Sequence, residues 1–474
     1  MLNTSQQHRY LSTKFVVLLI LTYGAIWLMH MNAVALTAPI DNLEQLVWVR
    51  SLEWGYYKHP PLPTWLLSTV IPIFGYSVFT TYLLGALITC LSLLVYWRLL
   101  HHMHGSKFAW IGLLAATCIT LYCFRMYYYN HNVVLLLCVV LTSYVFYQGI
   151  TNQKMHWWAS LGLVGAAGMM TKYQYALVIA PILYIYLSQK LWRISSVNWG
   201  ITISVTIASI LLMPHVYWIF HAESSPINYA MRTSLGAHLS LSKSISWSLL
   251  WLVDLLFNRC IPALLLLGVV YWIIRKNKVQ LSSQVESLNK SYVIAWGVWP
   301  ITIMFAMGVL GGVDVQLQWG TGFTLWVVPV AMYLFKLDRY VLQDNLVRPI
   351  FITYLIFQLI LSYVSFDKSA FGPHPSGHWN NQPSAQWAEE LAKPAREQMH
   401  GPIKIISGDS SIAAAIAMQL PEKPKVLING DLSVSPWISS EELKLGGVVE
   451  LVPPDRDSKV NRISNGWGWR VATF

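Results

Sequence analysis

Apolar stretches recur near 15–35, 76–97, 108–123, 132–150, 157–171, 173–189, 198–220, 259–275, 292–311, 318–335 and 349–366. That makes about eleven, and runs of roughly 17–25 apolar residues are written for a lipid bilayer. The run 157–189 is too long for one crossing, and Gly165, Gly168 and Lys172 interrupt it, so it is read as two. Only 11% of residues are charged, against about 25% in an average globular domain. The expected fold class is therefore an α-helical polytopic membrane protein, with no cleavage site after an N-terminal run that reads as a retained first span.

Charge fixes the expected orientation. Lys14, Arg98 with Lys107, Lys154, Lys190 with Arg193, Arg275 through Lys290 and Lys336 through Arg348 all fall on one side of the alternating spans. Under the positive-inside rule that side is the cytoplasm. The net charge of +11 is thus spread over short loops, which speaks for membrane orientation and against a nucleic-acid surface. The opposite side receives 36–75, 124–131, 221–258, 312–317 and everything after 367. Within 36–75, Leu43, Leu46, Val47, Val49 and Leu52 are spaced as on a short amphipathic helix lying on the membrane. Residues 240–258 read as a second interfacial helix. Tyr127-Tyr128-Tyr129 reads as an interfacial aromatic belt.

After residue 366 the pattern changes. A Gly/Pro/Asn-rich linker, 371–383, precedes a helix over 384–400, a strand at 403–406, the turn Gly408-Asp409, a helix over 411–419 and a strand at 425–428. This alternation predicts two domains: membrane-embedded 1–366 and a soluble α/β domain of about 100 residues, 367–474. The five cysteines lie in or beside apolar spans, with no CxxC pair, which argues against a disulfide framework or a Cys-based zinc site.

The polar chemistry gathers in the first outer loop, where Asp41-x-x-Glu44 is followed by Tyr56-Tyr57-Lys58-His59-Pro60-Pro61. Carboxylates between lipid-facing segments are costly unless solvated or paired, so ionisable clusters there mark function. Asp41, the Tyr57–Leu62 run, Asn130-His131-Asn132-Val133 and Met170-Thr171-Lys172-Tyr173-Gln174 resemble, in order, the motifs of GT-C glycosyltransferases of family 39. That family holds protein O-mannosyltransferases and the lipid A aminoarabinose transferase. Pro214-His215-x-x-Trp218, Lys423-Pro424-Lys425-Val426 and Ser435-Pro436-Trp437 look like its bacterial branch. Two positions depart from the pattern: Asn132 stands where members often have a second Asp, and Gln318 where His or Arg often precedes the Trp.

The resemblance implies a GT-C-like fold with periplasmic interfacial helices in a bacterial inner membrane. It implies transfer of a sugar, with inversion, from a polyprenyl-phosphate donor to a periplasmic glycan, lipid or protein acceptor. Such chemistry needs a base for the acceptor hydroxyl and cations for the departing phosphate. Asp41 is then the base, unless it merely caps a helix. Glu44 would orient the acceptor or bind a divalent cation, or else pair with Arg50 or Lys58. Lys58, His59, Lys172, Arg232 and Arg259 are the donor-phosphate candidates, with Asp254 or Asp314 as alternative partners of Lys172. Tyr57, Asn132 and His215 are placed as acceptor or sugar contacts, His215 equally as a core hydrogen-bonding residue. A flippase or transporter of a lipid-linked sugar is the competing reading; no internal repeat supports it.

Overall fold

The computed structural model describes residues 8–279, 287–340, 342–367, 377–454 and 460–472. Parts of the expected linker 371–383 and of the loops 275–290 and 336–348 lie outside the described residues. The membrane part runs α1 (Thr13–Val34), α2 (Ile40–Trp48), α3 (Leu62–Phe74), α4 (Val78–His104), α5 (Ser106–Ala116), α6 (His131–Asn152), α7 (Met155–Met169), α8 (Ile179–Ser188) and α9 (Ser195–His221). It continues through α10 (Pro226–Thr233), α11 (Leu241–Val253), α12 (Ile261–Lys276), α13 (Ser287–Gly311), α14 (Val327–Leu334) and α15 (Val347–Val364).

Each expected apolar stretch falls on a helix, but the stretches differ in reach. Six helices among the described residues are long and apolar enough to cross a bilayer. The pair Leu241–Arg259 and Ile261–Lys276, bent by 51°, makes a seventh if it is one span. The expected interfacial helix at 240–258 is therefore the first arm of that bent pair. Met155–Met169, with 15 residues, and Ile179–Ser188, with 10, are short against the roughly 20 residues a crossing needs. The continuous stretch Val78–Ala116 breaks at Gly105, whose φ of 78° suits glycine. The chain folds back there, bringing Gly112 against Leu100.

Local signals explain the helix starts. Ser12, Ser77 and Asn130 each accept a backbone N–H from the first turn of α1, α4 and α6, satisfying donors a helix leaves open. Helix α6 is the centre of the bundle, with 83% of its apolar window buried, whereas α9 is peripheral at 11%. The five cysteines are all buried and unbridged.

The tail supplies α16 (Ser384–Met399), β1 (Ile405–Gly408), α17 (Ser410–Gln419), β2 (Lys425–Ile428), β3 (Val448–Val452), β4 (Asn461–Arg462) and β5 (Gly468–Ala472). The sheet order is β2-β1-β3-β5-β4. Strand β1 runs parallel to β2 and β3, with Ile405 opposite Lys425 and Val448. Strand β5 is antiparallel to β3 and β4.

The tail packs on the first outer loop, where α17 lies against α2. The Leu36 and Thr37 amides donate to the Asn380 carbonyl (2.8 and 3.2 Å), and Asn380 Nδ2 donates back to the Thr37 carbonyl (2.8 Å). Trp379 Nε1 donates to the Ala38 carbonyl (2.7 Å). These contacts hold the residues immediately before α2. Seven of the nine α2 residues are buried, so this helix is enclosed between bundle and tail and does not lie on the membrane surface.

Candidate active site

Helix α2 presents Asp41 and Glu44 one turn apart. Its N-cap is Pro39, which has no side-chain cap to offer. Asp41 is thus a first-turn carboxylate, favoured there by the helix dipole, and the capping role is excluded. Asn42 pins the helix: its amide donates to Thr81 Oγ1 (2.8 Å) and the Tyr127 carbonyl (3.0 Å), and its Oδ1 accepts from Tyr129 N (2.9 Å). The 124–130 turn seats closely on α4, because a Cβ at Gly85 would meet the Tyr128 carbonyl at 2.1 Å. That turn ends in Asn130, whose Oδ1 caps α6 through Val133 N (3.0 Å) while its Nδ2 donates to Asp41 Oδ2 (2.8 Å). Both ends of the Asn130 amide are therefore fixed. Among the described residues, this is the one hydrogen bond the Asp41 carboxylate receives.

Glu44 is committed elsewhere. Lys58 Nζ donates to both its oxygens, at 2.9 and 3.0 Å, and the side chains are 5% and 19% exposed for Glu44 and Lys58. Burial alone would depress the Lys58 ammonium, but the Glu44 and Asp41 carboxylates more than offset it and hold it above its ordinary value. Burial also lifts the Glu44 carboxyl, against the pull of Lys58. Glu44 is therefore the buried counter-ion of Lys58, the pairing alternative of the sequence. Arg50 takes no part, since it turns to Tyr76 and the Lys423 carbonyl. Removing one partner of a buried pair strands the other charge. Lys58→Met should lower stability by about 3 kcal/mol, read from denaturation in detergent, and Glu44→Gln/Lys58→Met should recover much of it.

Lys172 lies at the break between α7 and the helical turn 173–178. It donates to Asn132 Oδ1 (2.7 Å) and stands over the Trp319 ring, 5.7 Å from its centroid. Burial pushes it down to about 8, against the Asp41 carboxylate, and Lys58 adds to the depression. Neither expected carboxylate pairs with it: Asp254 binds Arg259 and Asn258, and Asp314 accepts from Gln316. Asn132 is accordingly a neutral partner for this lysine.

His59 stacks on His131 with ring centroids 4.0 Å apart. Burial, with His131, Lys58 and Lys172 nearby, holds its imidazole well below the ordinary value. Its burial therefore disfavours the cationic form. His131 Nε2 donates to the Pro60 carbonyl (3.2 Å), tying α6 to the Pro-Pro turn.

The remaining candidates separate from this cluster. His215 Nδ1 donates to the Trp54 carbonyl (2.6 Å), so its Nε2 accepts from Tyr173 (3.0 Å). Both nitrogens are used, so His215 links Trp54 to Tyr173 as a core hydrogen-bonding residue. Arg232 is exposed on α10 and makes no hydrogen bond or ion pair among the described residues. The α10 residue that reaches the cluster is Tyr229, edge-on to Tyr57 at 6.0 Å and 5.8 Å from the Lys58 ammonium. Arg259 is bound by Asp254 at 2.9 Å, which spends its charge. Tyr57 packs edge-on against Trp48 and against Tyr229. Tyr127 and Tyr129 are fully buried and form no interfacial belt. Asp409 caps α17 through the Ser411 and Ile412 amides, the turn role expected of it.

Asn130, His131 and Tyr229 were not among the expected site residues. A cap signal marks Asn130 in the sequence. Its bond to a residue 89 positions away has no such mark.

Residues 58–218 match the family model described as dolichyl-phosphate-mannose-protein mannosyltransferase. Lys58, His59, Asn132, Lys172 and His215 lie inside that range, and Asp41 and Glu44 precede it. The chain is 21% identical over 409 residues to the lipopolysaccharide core galacturonosyltransferase RgtA of Rhizobium johnstonii, covering 82% of this chain and 77% of that protein. It is 23% identical over 211 residues to the lipid A galacturonosyltransferase RgtD of the same organism, 43% of each chain. The crystal structure of ArnT from Cupriavidus metallidurans bound to undecaprenyl phosphate superposes with a TM-score of 0.64 at 13% identity, covering 94% of each chain. At that identity the likeness is one of fold.

Proposed function

We propose that this chain, a multi-pass membrane glycosyltransferase whose residues 58–218 carry the dolichyl-phosphate-mannose-protein mannosyltransferase domain, moves a sugar from a polyprenyl-phosphate carrier to an acceptor hydroxyl. The acceptor is a lipid A, polysaccharide or protein group on the periplasmic side of a bacterial inner membrane. One observation carries the reading. The Asp41 carboxylate is held by Asn130 and lies close enough to Lys58 and Lys172 to favour the charged form of both.

In this reading the acceptor oxygen attacks the anomeric carbon and its proton passes to Asp41. The bond from that carbon to the phosphate oxygen breaks, and the electron pair leaves with polyprenyl phosphate. Lys172 meets the developing charge, because its protein partner is a neutral amide. Lys58 carries a charge already shared with Glu44 and serves mainly to place the phosphate. His59 can offer a hydrogen bond. A divalent cation finds a thin donor set: among the described residues no three His, Cys, Asp or Glu side chains gather, and Glu44 is engaged by Lys58. No step is assigned to a metal.

Two measurements test the reading. Polyprenyl phosphate should raise the melting temperature of the detergent-solubilised protein, as a ligand bound only by the folded state must. Mass spectrometry of lipid A, surface polysaccharide and periplasmic glycoproteins should show one sugar lost on gene deletion and regained on complementation. An unchanged envelope together with no melting response would refute the proposal.

The proposed orientation predicts opposite labelling of exposed Ser195 and exposed Gln398. Single cysteines at these positions, on a background lacking the five native ones, would be treated with an impermeant thiol reagent in spheroplasts. Gln398→Cys should label and Ser195→Cys should not; the reverse pattern would invert the topology.

A further inference from the structure

A cavity of about 190 Å³ opens beside the cluster just described. Three separate parts of the chain wall it: Glu53 and Tyr57 from the first outer loop, Trp218 and Glu223 from the outer end of α9 and just beyond, and Ser433 from the tail. Trp218 packs closely on the loop at Gly55, where a Cβ would lie 2.3 Å from the indole, so a larger residue at 55 would displace this wall. The volume suits one saccharide ring and is small for a drug-sized ligand.

The lining has the chemistry of sugar recognition. Indole and phenol rings offer apolar faces, while hydroxyls and carboxylates accept or donate to sugar hydroxyls. Its charge is one-sided. Among the described residues Glu53 and Glu223 are its two carboxylic acids, and no Lys, Arg or His lines it. The two lysines that would meet phosphate lie outside the lining. The cavity thus offers nothing to neutralise the donor's phosphate, and two carboxylates disfavour a phosphate there. The group that fits is a saccharide unit further along, on the acceptor.

We infer that this cavity is a subsite for one saccharide unit of the acceptor, and that it takes a neutral or amine-bearing sugar and rejects one bearing a carboxylate or phosphate. The inference rests on the transferase reading. It gives the tail a part in choosing the substrate, since Ser433 closes the cavity.

The test uses the full chain in nanodiscs and saturation-transfer NMR, with methyl β-D-glucoside, glucosamine and glucuronate as probes. The first two should receive saturation, and glucuronate about tenfold less, a discrimination supplied by like-charge repulsion. Ser433→Phe fills the cavity from the tail side and should abolish the signal of both binding sugars, while the melting shift given by polyprenyl phosphate persists. The conservative Glu53→Gln/Glu223→Gln variant should bring glucuronate up to the level of the glucoside. The inference is overturned if no probe binds, if glucuronate binds the wild type as well as the glucoside, or if Ser433→Phe leaves the signals intact. Loss of the polyprenyl-phosphate shift in the wild type would count instead against the transferase reading.

Discussion

Asp41→Asn should insert, fold and respond to polyprenyl phosphate as the wild type does, yet transfer sugar at least about a hundredfold more slowly, the usual scale for a lost general base. The substitution keeps the shape of the side chain, and the oxygen that accepts from Asn130 can be kept by the amide. What it removes is the oxygen that takes the acceptor proton. Glu44 cannot stand in, because Lys58 occupies both its oxygens. Single-turnover rates with preloaded donor separate this effect from binding. Turnover within a few-fold of the wild type would remove Asp41 from the role of base.

Lys172→Met should show the complementary pattern. Without lipid the cost is small, about 1–2 kcal/mol, because the orphaned partner is the neutral Asn132 carbonyl and not a carboxylate. With lipid the variant should lose most of the stabilisation that polyprenyl phosphate confers, and its turnover should fall by about 10²–10³, as when a donor to developing charge is deleted. A pH signature accompanies this. Burial brings the wild-type lysine down to about 8, so it is a cation below that pH and neutral above it. Affinity for polyprenyl phosphate should weaken as pH rises past about 8 in the wild type, and Lys172→Met should flatten that dependence. A variant that melts far lower without lipid but still responds fully to it would rule the phosphate role out.

The legible part of this protein is the part governed by local chemistry. Apolar runs mark helices, and the tail strand read at 425–428 is the observed β2, Lys425–Ile428. Asp41, Lys58 and Lys172 are conspicuous because charge beside lipid needs a reason, and packing does gather them. What escaped reading depends on pairing across the chain. The sequence leaves Glu44 a choice between Arg50 and Lys58, and the fold settles it on Lys58. His215 carries the same letters whether it meets a sugar or bridges Trp54 and Tyr173. Strands β3 and β5 went unread because their alternation is short, and their register comes from the sheet itself. Composition gives apolarity but not reach: at 1.5 Å per residue a 15-residue helix is about 22 Å long, short of a hydrocarbon core of about 30 Å.

The clamp between Thr37 and Asn380 joins residues 343 positions apart. Synthesis runs from the N-terminus, so the bundle is already threaded into the membrane before Asn380 leaves the ribosome. Until then the peptide ahead of Ile40 lacks its bonds to Asn380 and Trp379, and the helix bearing Asp41 lacks its cover. A nascent or truncated chain ending before residue 377 would keep Asn130 on Asp41 and Asn42 on the turn 124–130 but lack the tail's bonds ahead of Ile40. Truncation there should therefore loosen the start of this helix without releasing Asp41 from Asn130.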